Sequence, residues 1–181
     1  EEPYSMAMAL RDAGVAPAAC TIDAIDLSEV ALQRARRGRY TRNAFRGANL
    51  AFRERYFTPV GNEYQIKDEL RAQVRFSQGN LLATDLAAGG RYDVIFCRNL
   101  LIYFDEPTAA AAIARLHALL LDDGVLFAGY AEMPTYCRNG FTSMRAANAF
   151  ALQKAVADVP AAPVNSAPPA PVRAARVPAR A

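Results

Sequence analysis

Histidine, cysteine and lysine are all scarce in this chain: one, three and two residues among 181. The lone histidine, His117, has no second histidine and no cysteine at metal-ligand spacing, so no metal centre is expected and His117 reads as structural. Cys20, Cys97 and Cys137 contain no Cys-x-x-Cys pair and read as reduced thiols, which points to a cytoplasmic protein. No run of 18 apolar residues exists, so nothing reads as membrane-spanning. Neither a signal-peptide pattern nor an internal repeat is visible. The sequence opens on Glu1 rather than Met and directly in a helical pattern, so a fragment beginning inside a domain is expected.

What is present supports a core. Hydrophobic residues make up 52% of the chain, enough for one domain plus an appendage. The net charge is +3, of which Asp158, Arg173, Arg176 and Arg180 in the last stretch give +2. From Val156 onward prolines are set among alanines with no aromatic residue, the composition of an extended, disordered linker or tail. Residues 1–154 are expected to form the domain, and 155–181 the tail. The basic charge is arginine, and it is unevenly spread. Eight arginines fall between Arg34 and Arg55, opposed there by Glu54 alone. Such a cluster can dock on an acidic protein or a phosphate backbone; a plain solvated face is an equal reading.

Along the chain, strand and helix signals alternate. Acidic residues and Pro3 lead into a helix through Ala13, stopped by Gly14. Residues 21–26 alternate as a strand ending on Asp26, and Ser28 caps a helix from Glu29 to about Arg37, stopped by Gly38. A carboxylate at a strand end can accept both hydroxyls of a ribose diol; a capping or turn role is the commoner use. Residues 43–76 break the alternation, with two short strands around Gly61-Asn62 reading as a small antiparallel insertion, bounded at about 50–73. Val74-Arg75-Phe76 resumes the main sheet and leads to Asn80 in a strand-end loop, where an amide can pair with a purine edge or simply make a turn.

The stretch Tyr92 to Asp105 is the most informative. Val94 to Phe96 reads as a strand buried on both faces. Cys97, Arg98 and Asn99 place polar groups at its exit, where open α/β sheets hold their ligands; an ordinary exit loop fits the same residues. A helix from Pro107 to about Leu121 follows, then an Asp122-Asp123-Gly124 turn, a buried strand from Val125 to Tyr130, and a closing antiparallel hairpin near 141–154.

In this order the motifs resemble the chemotaxis-receptor glutamate methyltransferases, the CheR family. The pieces are Glu-Glu-Pro-Tyr-Ser at the start, Ala24-Ile25-Asp26, Ala35-Arg36-Arg37-Gly38-Arg39-Tyr40, Arg55-Tyr56-Phe57, Asn80-Leu81-Leu82, Phe96 through Asp105, and Leu126-Phe127-Ala128-Gly129. The resemblance covers about residues 1–154. It implies a doubly wound, Rossmann-like class I methyltransferase sheet, mainly parallel, with a C-terminal antiparallel hairpin, an inserted β-subdomain and the first strand missing. It implies S-adenosylmethionine as methyl donor and receptor glutamates as acceptors. Carried over by position, Glu2 and Asp26 would contact the cofactor, Asp26 at the ribose. Asn80 and Leu81 would flank the adenine, Asn99 and Leu100 would border the methionine end, and Tyr103 would lie near the transferring methyl. Arg98 would steer the incoming carboxylate, with a structural salt bridge as the alternative. Arg36, Arg37 and Arg39 would face an acidic receptor bundle.

Three departures from the family pattern matter. The family's glycine-containing cofactor loop precedes Glu-Glu-Pro-Tyr-Ser and is absent here, so this fragment alone is expected to bind cofactor poorly and to be inactive. The turn at Gly61 is short, which looks like the pentapeptide-independent type of receptor recognition. Gly129-Tyr130-Ala131-Glu132 stands where members often carry Gly-His-Ser-Glu. A monomer is expected, with no nucleic-acid partner and no membrane insertion. A methyltransferase of another substrate or a non-catalytic scaffold are the alternatives; Asn99-Leu100-Leu101-Ile102-Tyr103 lacks the Pro-Pro-aromatic loop of amine-methylating enzymes, which counts against a nucleic-acid substrate.

Overall fold

The computed structural model describes residues 1–46, 50–83, 90–145 and 149–155. The proline- and alanine-rich stretch from 156 lies outside the described residues.

Helix α1 spans Glu2–Asp12, with Pro3 in its first turn. Strand β1 (Ile22–Asp26) leads to α2 (Glu29–Arg37). Ser28 Oγ accepts the Ala31 N–H at 3.2 Å, a cap worth about 1 kcal/mol. Gly38 closes α2 in the left-handed conformation, its N–H donating to the Ala35 and Arg34 carbonyls. Next come β2 (Arg39–Thr41), α3 (Ala51–Tyr56), β3 (Phe57–Val60), β4 (Glu63–Ile66) and α4 (Asp68–Arg71). Strands β5 (Val74–Gln78) and β6 (Tyr92–Cys97) are followed by α5 (Glu106–Leu119), β7 (Leu120–Ala128), α6 (Met133–Arg138), β8 (Phe141–Ser143) and β9 (Ala151–Lys154).

The strands form three hydrogen-bonded sheets in an α/β architecture. Parallel β1 and β5 pair Ile22 with Val74 and Asp26 with Gln78. The insertion is antiparallel in the order β2-β4-β3. The third sheet has the order β6-β7-β9-β8, with β6 and β7 parallel and the other pairs antiparallel. The closing hairpin is therefore present as expected. The expected two-stranded insertion gains a third strand, β2, because Arg39–Thr41 turns back from Gly38 onto β4.

Two cores hold this together. One joins Tyr4 and Ala7 of α1 to Ile22, Val74, Tyr56, Phe57, Ile66 and Leu70. The insertion thus shares its interior with β1 and β5. The other gathers Ile113 and Leu116 of α5, Leu126, Tyr136, Phe141 and Leu152. His117 lies over Phe141 with ring centroids 5.4 Å apart, as a packing residue would. Contacts between the halves include the Tyr92 hydroxyl donating to Asp23 Oδ2 at 3.3 Å and Leu81 packed on the second core.

Two expectations need correction. Val94 and Phe96 are 42% and 39% exposed rather than buried on both faces. Strand β6 has β7 as its sole hydrogen-bonded neighbour among the described residues, as β1 has only β5, so an open edge of each leaves apolar side chains uncovered. The strand expected from Val125 begins at Leu120 instead: Leu120 pairs with Tyr92, and a register shift between Tyr92 and Val94 absorbs Asp122-Asp123-Gly124 into β7. No described helix is long and apolar enough to cross a membrane.

Candidate functional site

Asp26 closes β1 on the surface, and the two parallel strands are tied together at their carboxyl ends. The Gly79 N–H donates to the Asp26 carbonyl at 3.1 Å, and Gln78 Nε2 donates to the Leu27 carbonyl at 2.9 Å. Asp26 Oδ1 accepts the Ser28 N–H at 2.8 Å, so this oxygen does the local turn work. Oδ2 takes no hydrogen bond from any described residue. Asn80, also exposed, makes the same kind of turn, its Oδ1 accepting the Leu82 N–H at 3.0 Å.

The exit of β6 is more constrained. Asn99 has φ +60°, alone among described non-glycine residues in having a positive φ. Leu100 follows, half-buried, and a 3-10 turn over Leu101–Tyr103 then leaves the Tyr103 ring 78% exposed. Asp105 Oδ1 accepts the Thr108 N–H at 3.0 Å and starts α5; hydrogen bonds from the Thr108 side chain and main chain hold the Asp105 carboxyl below its usual range. Cys97 is buried, and burial pushes its thiol up, which fits packing rather than reactivity.

Arg98 and Glu2, both expected at the site, bind each other: Nη1 donates to Oε1 at 2.9 Å across 96 residues of sequence. The structural salt bridge weighed from sequence is therefore formed. It ties the start of α1 to the exit of β6. Both side chains remain about half exposed, so the pair is worth at most about 1 kcal/mol and can exchange partners.

One residue of this region was not foreseen. Glu132 is 3% exposed. Its Oε2 accepts the Asn99 N–H at 2.8 Å and the Gly129 N–H at 3.0 Å, and its Oε1 accepts the Leu101 N–H at 2.7 Å. The available signal was a Gly-x-x-Glu run after a strand, in which a glutamate reaches back three residues as in a capping box.

The residues fit a nucleoside-bearing sulfonium in two respects. The unbonded Asp26 Oδ2 is an acceptor of the right charge for a ribose hydroxyl at a parallel strand end. The exposed Tyr103 ring offers a π-face to a cation. The structure brings Asp26 and Asn80 together at one pair of strand ends, and Glu2, Arg98, Asn99, Leu100 and Tyr103 at another.

The basic residues divide. Arg37 and Arg39 line a cavity of about 680 Å³ with Arg34, Arg71, Glu63 and Gln65. Gln65 organises it: Nε2 donates to the Arg37 carbonyl at 2.6 Å while Oε1 accepts from Arg39 Nε at 3.1 Å. Arg36 points elsewhere, with Nη1 on Glu29 Oε1 at 2.7 Å and Nη2 on the Phe76 carbonyl at 3.1 Å. It lines a second cavity of about 470 Å³ with Tyr4, whose hydroxyl donates to the Ala35 carbonyl at 2.9 Å.

Residues 1–150 match the family model described as CheR methyltransferase, SAM binding domain. The chain is 45% identical over 169 residues to the probable biofilm formation methyltransferase WspC of Pseudomonas putida, covering 93% of this chain and 39% of that protein. It is 37% identical over 159 residues to the chemotaxis protein methyltransferase of Escherichia coli, covering 85% of this chain and 55% of that protein. A solved structure, magnesium protoporphyrin IX methyltransferase of Synechocystis with bound SAM, is 19% identical at TM-score 0.43, covering 78% of this chain and 63% of that chain. The chain thus spans about half or less of the curated relatives' length. With the family match running from α1 to the start of β9, the chain belongs to the CheR methyltransferase family, within its S-adenosylmethionine-binding domain.

Proposed function

We propose that the protein carrying this chain transfers a methyl group from S-adenosylmethionine to glutamate side chains on the cytoplasmic helical bundle of a chemoreceptor-like partner, forming methyl esters that tune signalling. The carrying observation is that Asp26 and Asn80 stand exposed at and just beyond the carboxyl ends of the parallel pair β1 and β5, while Asn99 stands exposed beyond the end of β6, which is parallel to β7, and leads into the exposed Tyr103. The cofactor, when bound, supplies a methyl group on a cationic sulfur. The acceptor carboxylate is already ionised at neutral pH, its reference pKa being about 4.3, so no general base is needed. What remains for the chain is alignment, which can contribute roughly 7–11 kcal/mol.

In this reading Asp26 Oδ2 holds the ribose, Asn80 and Leu81 flank the adenine, Asn99 and Leu100 border the methionine end, and Glu2 adds a cofactor contact. Tyr103 faces the sulfonium. Arg98 trades its exposed pair with Glu2 for the incoming carboxylate. The cavity of Arg34, Arg37, Arg39 and Arg71 supplies positive charge for an acidic partner, while Arg36 supports α2 against β5. The two-residue Gly61-Asn62 turn between β3 and β4 favours recognition that does not depend on a C-terminal pentapeptide. Residues 1–154 act as the catalytic domain and 155–181 as a linker.

The test is transfer of tritiated methyl from S-adenosylmethionine by the full-length protein to a receptor bundle. Label released as methanol by mild base is expected, since methyl esters hydrolyse there. Base-stable label, or label in nucleic acid, would overturn the reading.

A further inference from the structure

We propose that Glu132 is a positioning residue that sets the backbone of the Asn99–Leu101 loop for cofactor binding. The inference rests on the reading of that loop as the rim of the cofactor site. Glu132 lies in Gly129-Tyr130-Ala131-Glu132, at the exit of β7, and its carboxylate is enclosed. Among the described residues no lysine or arginine pairs with it. Its charge is instead met by three main-chain N–H groups from two different strand exits: Gly129 after β7, and Asn99 and Leu101 after β6. Hydrogen bonds to an ionised acceptor are about twice as strong as neutral ones, so three converging on one carboxylate make a rigid join.

The join explains the unusual backbone at Asn99. A left-handed residue is unfavourable for an L-amino acid, although asparagine tolerates it better than most. At φ +60° the Asn99 N–H points at Oε2, and two residues later the Leu101 N–H points at Oε1. Leu101 opens the 3-10 turn that carries Tyr103. Fixing Asn99 and Leu101 therefore fixes both the residue at the strand end and the start of the turn presenting the aromatic ring. Gly129 makes room for the carboxylate: a Cβ there would sit 2.6 Å from Glu132 Oε2 and 3.3 Å from the Asn99 nitrogen.

The geometry makes an asymmetric prediction. Glu132→Gln keeps the volume but puts an NH₂ against either Leu101 or the Asn99–Gly129 pair, donor facing donor. Gly129→Ala keeps the carboxylate and displaces it. In the full-length protein, hydrogen-exchange mass spectrometry on peptides spanning 97–104 should show protection falling by about tenfold or more in both variants, while peptides spanning 124–128 and 150–154 keep theirs. The KM for S-adenosylmethionine should rise by about tenfold with a smaller change in kcat, as expected when a preformed binding geometry is lost. Glu132→Asp, which keeps the charge on a shorter arm, should recover part of both effects.

Unchanged protection of 97–104 in both variants would overturn the proposal. So would lost protection with an unchanged KM, since the loop would then be held for no purpose at the cofactor. If Glu132→Gln fails to fold, Gly129→Ala decides by the same readouts. A parent protein that takes up no S-adenosylmethionine would refute the cofactor-rim role together with the functional reading; exchange at 97–104 would still tell whether Glu132 holds the loop.

Discussion

Gly38 and Gly61 share φ +59° but not their surroundings, which makes them a matched pair of probes. A Cβ at Gly61 would meet nothing within 4 Å, whereas at Gly38 it would lie 2.5 Å from Ile66 Cγ2. Ile66 cannot retreat: it is fully buried, and its N–H donates to the Gly38 carbonyl at 2.9 Å. Alanine in the left-handed region costs about 1–2 kcal/mol, of which a lower entropy of the unfolded chain returns roughly 0.4–1. Gly61→Ala should therefore destabilise by about 1 kcal/mol. Gly38→Ala carries the same backbone term plus an overpacking term of about 1–3 kcal/mol, for a total of roughly 2–4. Equilibrium urea unfolding of the full-length protein and both variants measures the difference, in which the backbone term cancels. Equal destabilisation would refute the argument that contact with Ile66, rather than φ, makes glycine necessary at the end of α2. The basic cavity would respond as well, since Arg37 and Arg39 flank Gly38.

Two further outcomes follow from the charges. Reversing Arg37 and Arg39 to Glu should lower receptor methylation on the order of tenfold at low ionic strength and weaken its salt dependence, while Arg36→Glu, which loses both the Glu29 pair and the hydrogen bond to the Phe76 carbonyl, should cost roughly 1–3 kcal/mol of stability and change methylation by the folded protein little; equal loss of methylation from both would reject the division of the cluster. Burial, followed by the nearby Lys154, lowers the His117 pKa, with Asp122 opposing, so the folded state takes up this proton less readily than the unfolded chain. That contribution is complete above about pH 6.5 and declines as pH falls through 6.5 toward the folded value, so His117→Gln should flatten the stability-versus-pH curve there; an unaltered slope in urea midpoints would exclude it.

The parts of the fold legible in the sequence were those written locally. Ser28 and Gly38 mark the ends of α2 because caps depend on residues within one turn. The Gly61-Asn62 turn fixes the β3–β4 hairpin for the same reason. Strand β2 escaped because Arg-Tyr-Thr is too short to show a period, and it becomes a strand only by pairing with β4. The start of β7 escaped because Asp122-Asp123-Gly124 has turn composition, yet Leu120 pairs with Tyr92. The burial of Val94 and Phe96 was misjudged because an apolar run reports a tendency to be covered, not whether a neighbouring strand is there to cover it. At the site, Asp26, Asn80 and Asn99 could be read from their places after strands. For Glu132 the Gly-x-x-Glu run gives the bond to Gly129 alone; its reach to the Asn99–Leu101 loop is not legible, since those partners are main-chain groups, which carry no residue identity.

That last point bears on how this loop can change over time. A clamp made of one carboxylate and three backbone amides is written in a spacing rather than in a vocabulary. Between Gly129 and Glu132, Tyr130 and Ala131 are both exposed, and the Tyr130 ring lies 5.3 Å from that of Phe150. Their side chains can vary more freely, because the hydrogen bonds of the join are made by Glu132 and main-chain N–H groups. A single inserted or deleted residue in the same interval would swing the carboxylate off its donors. The segment is therefore permissive to substitution and intolerant of a frame slip, the reverse of what an exposed tyrosine and alanine would suggest.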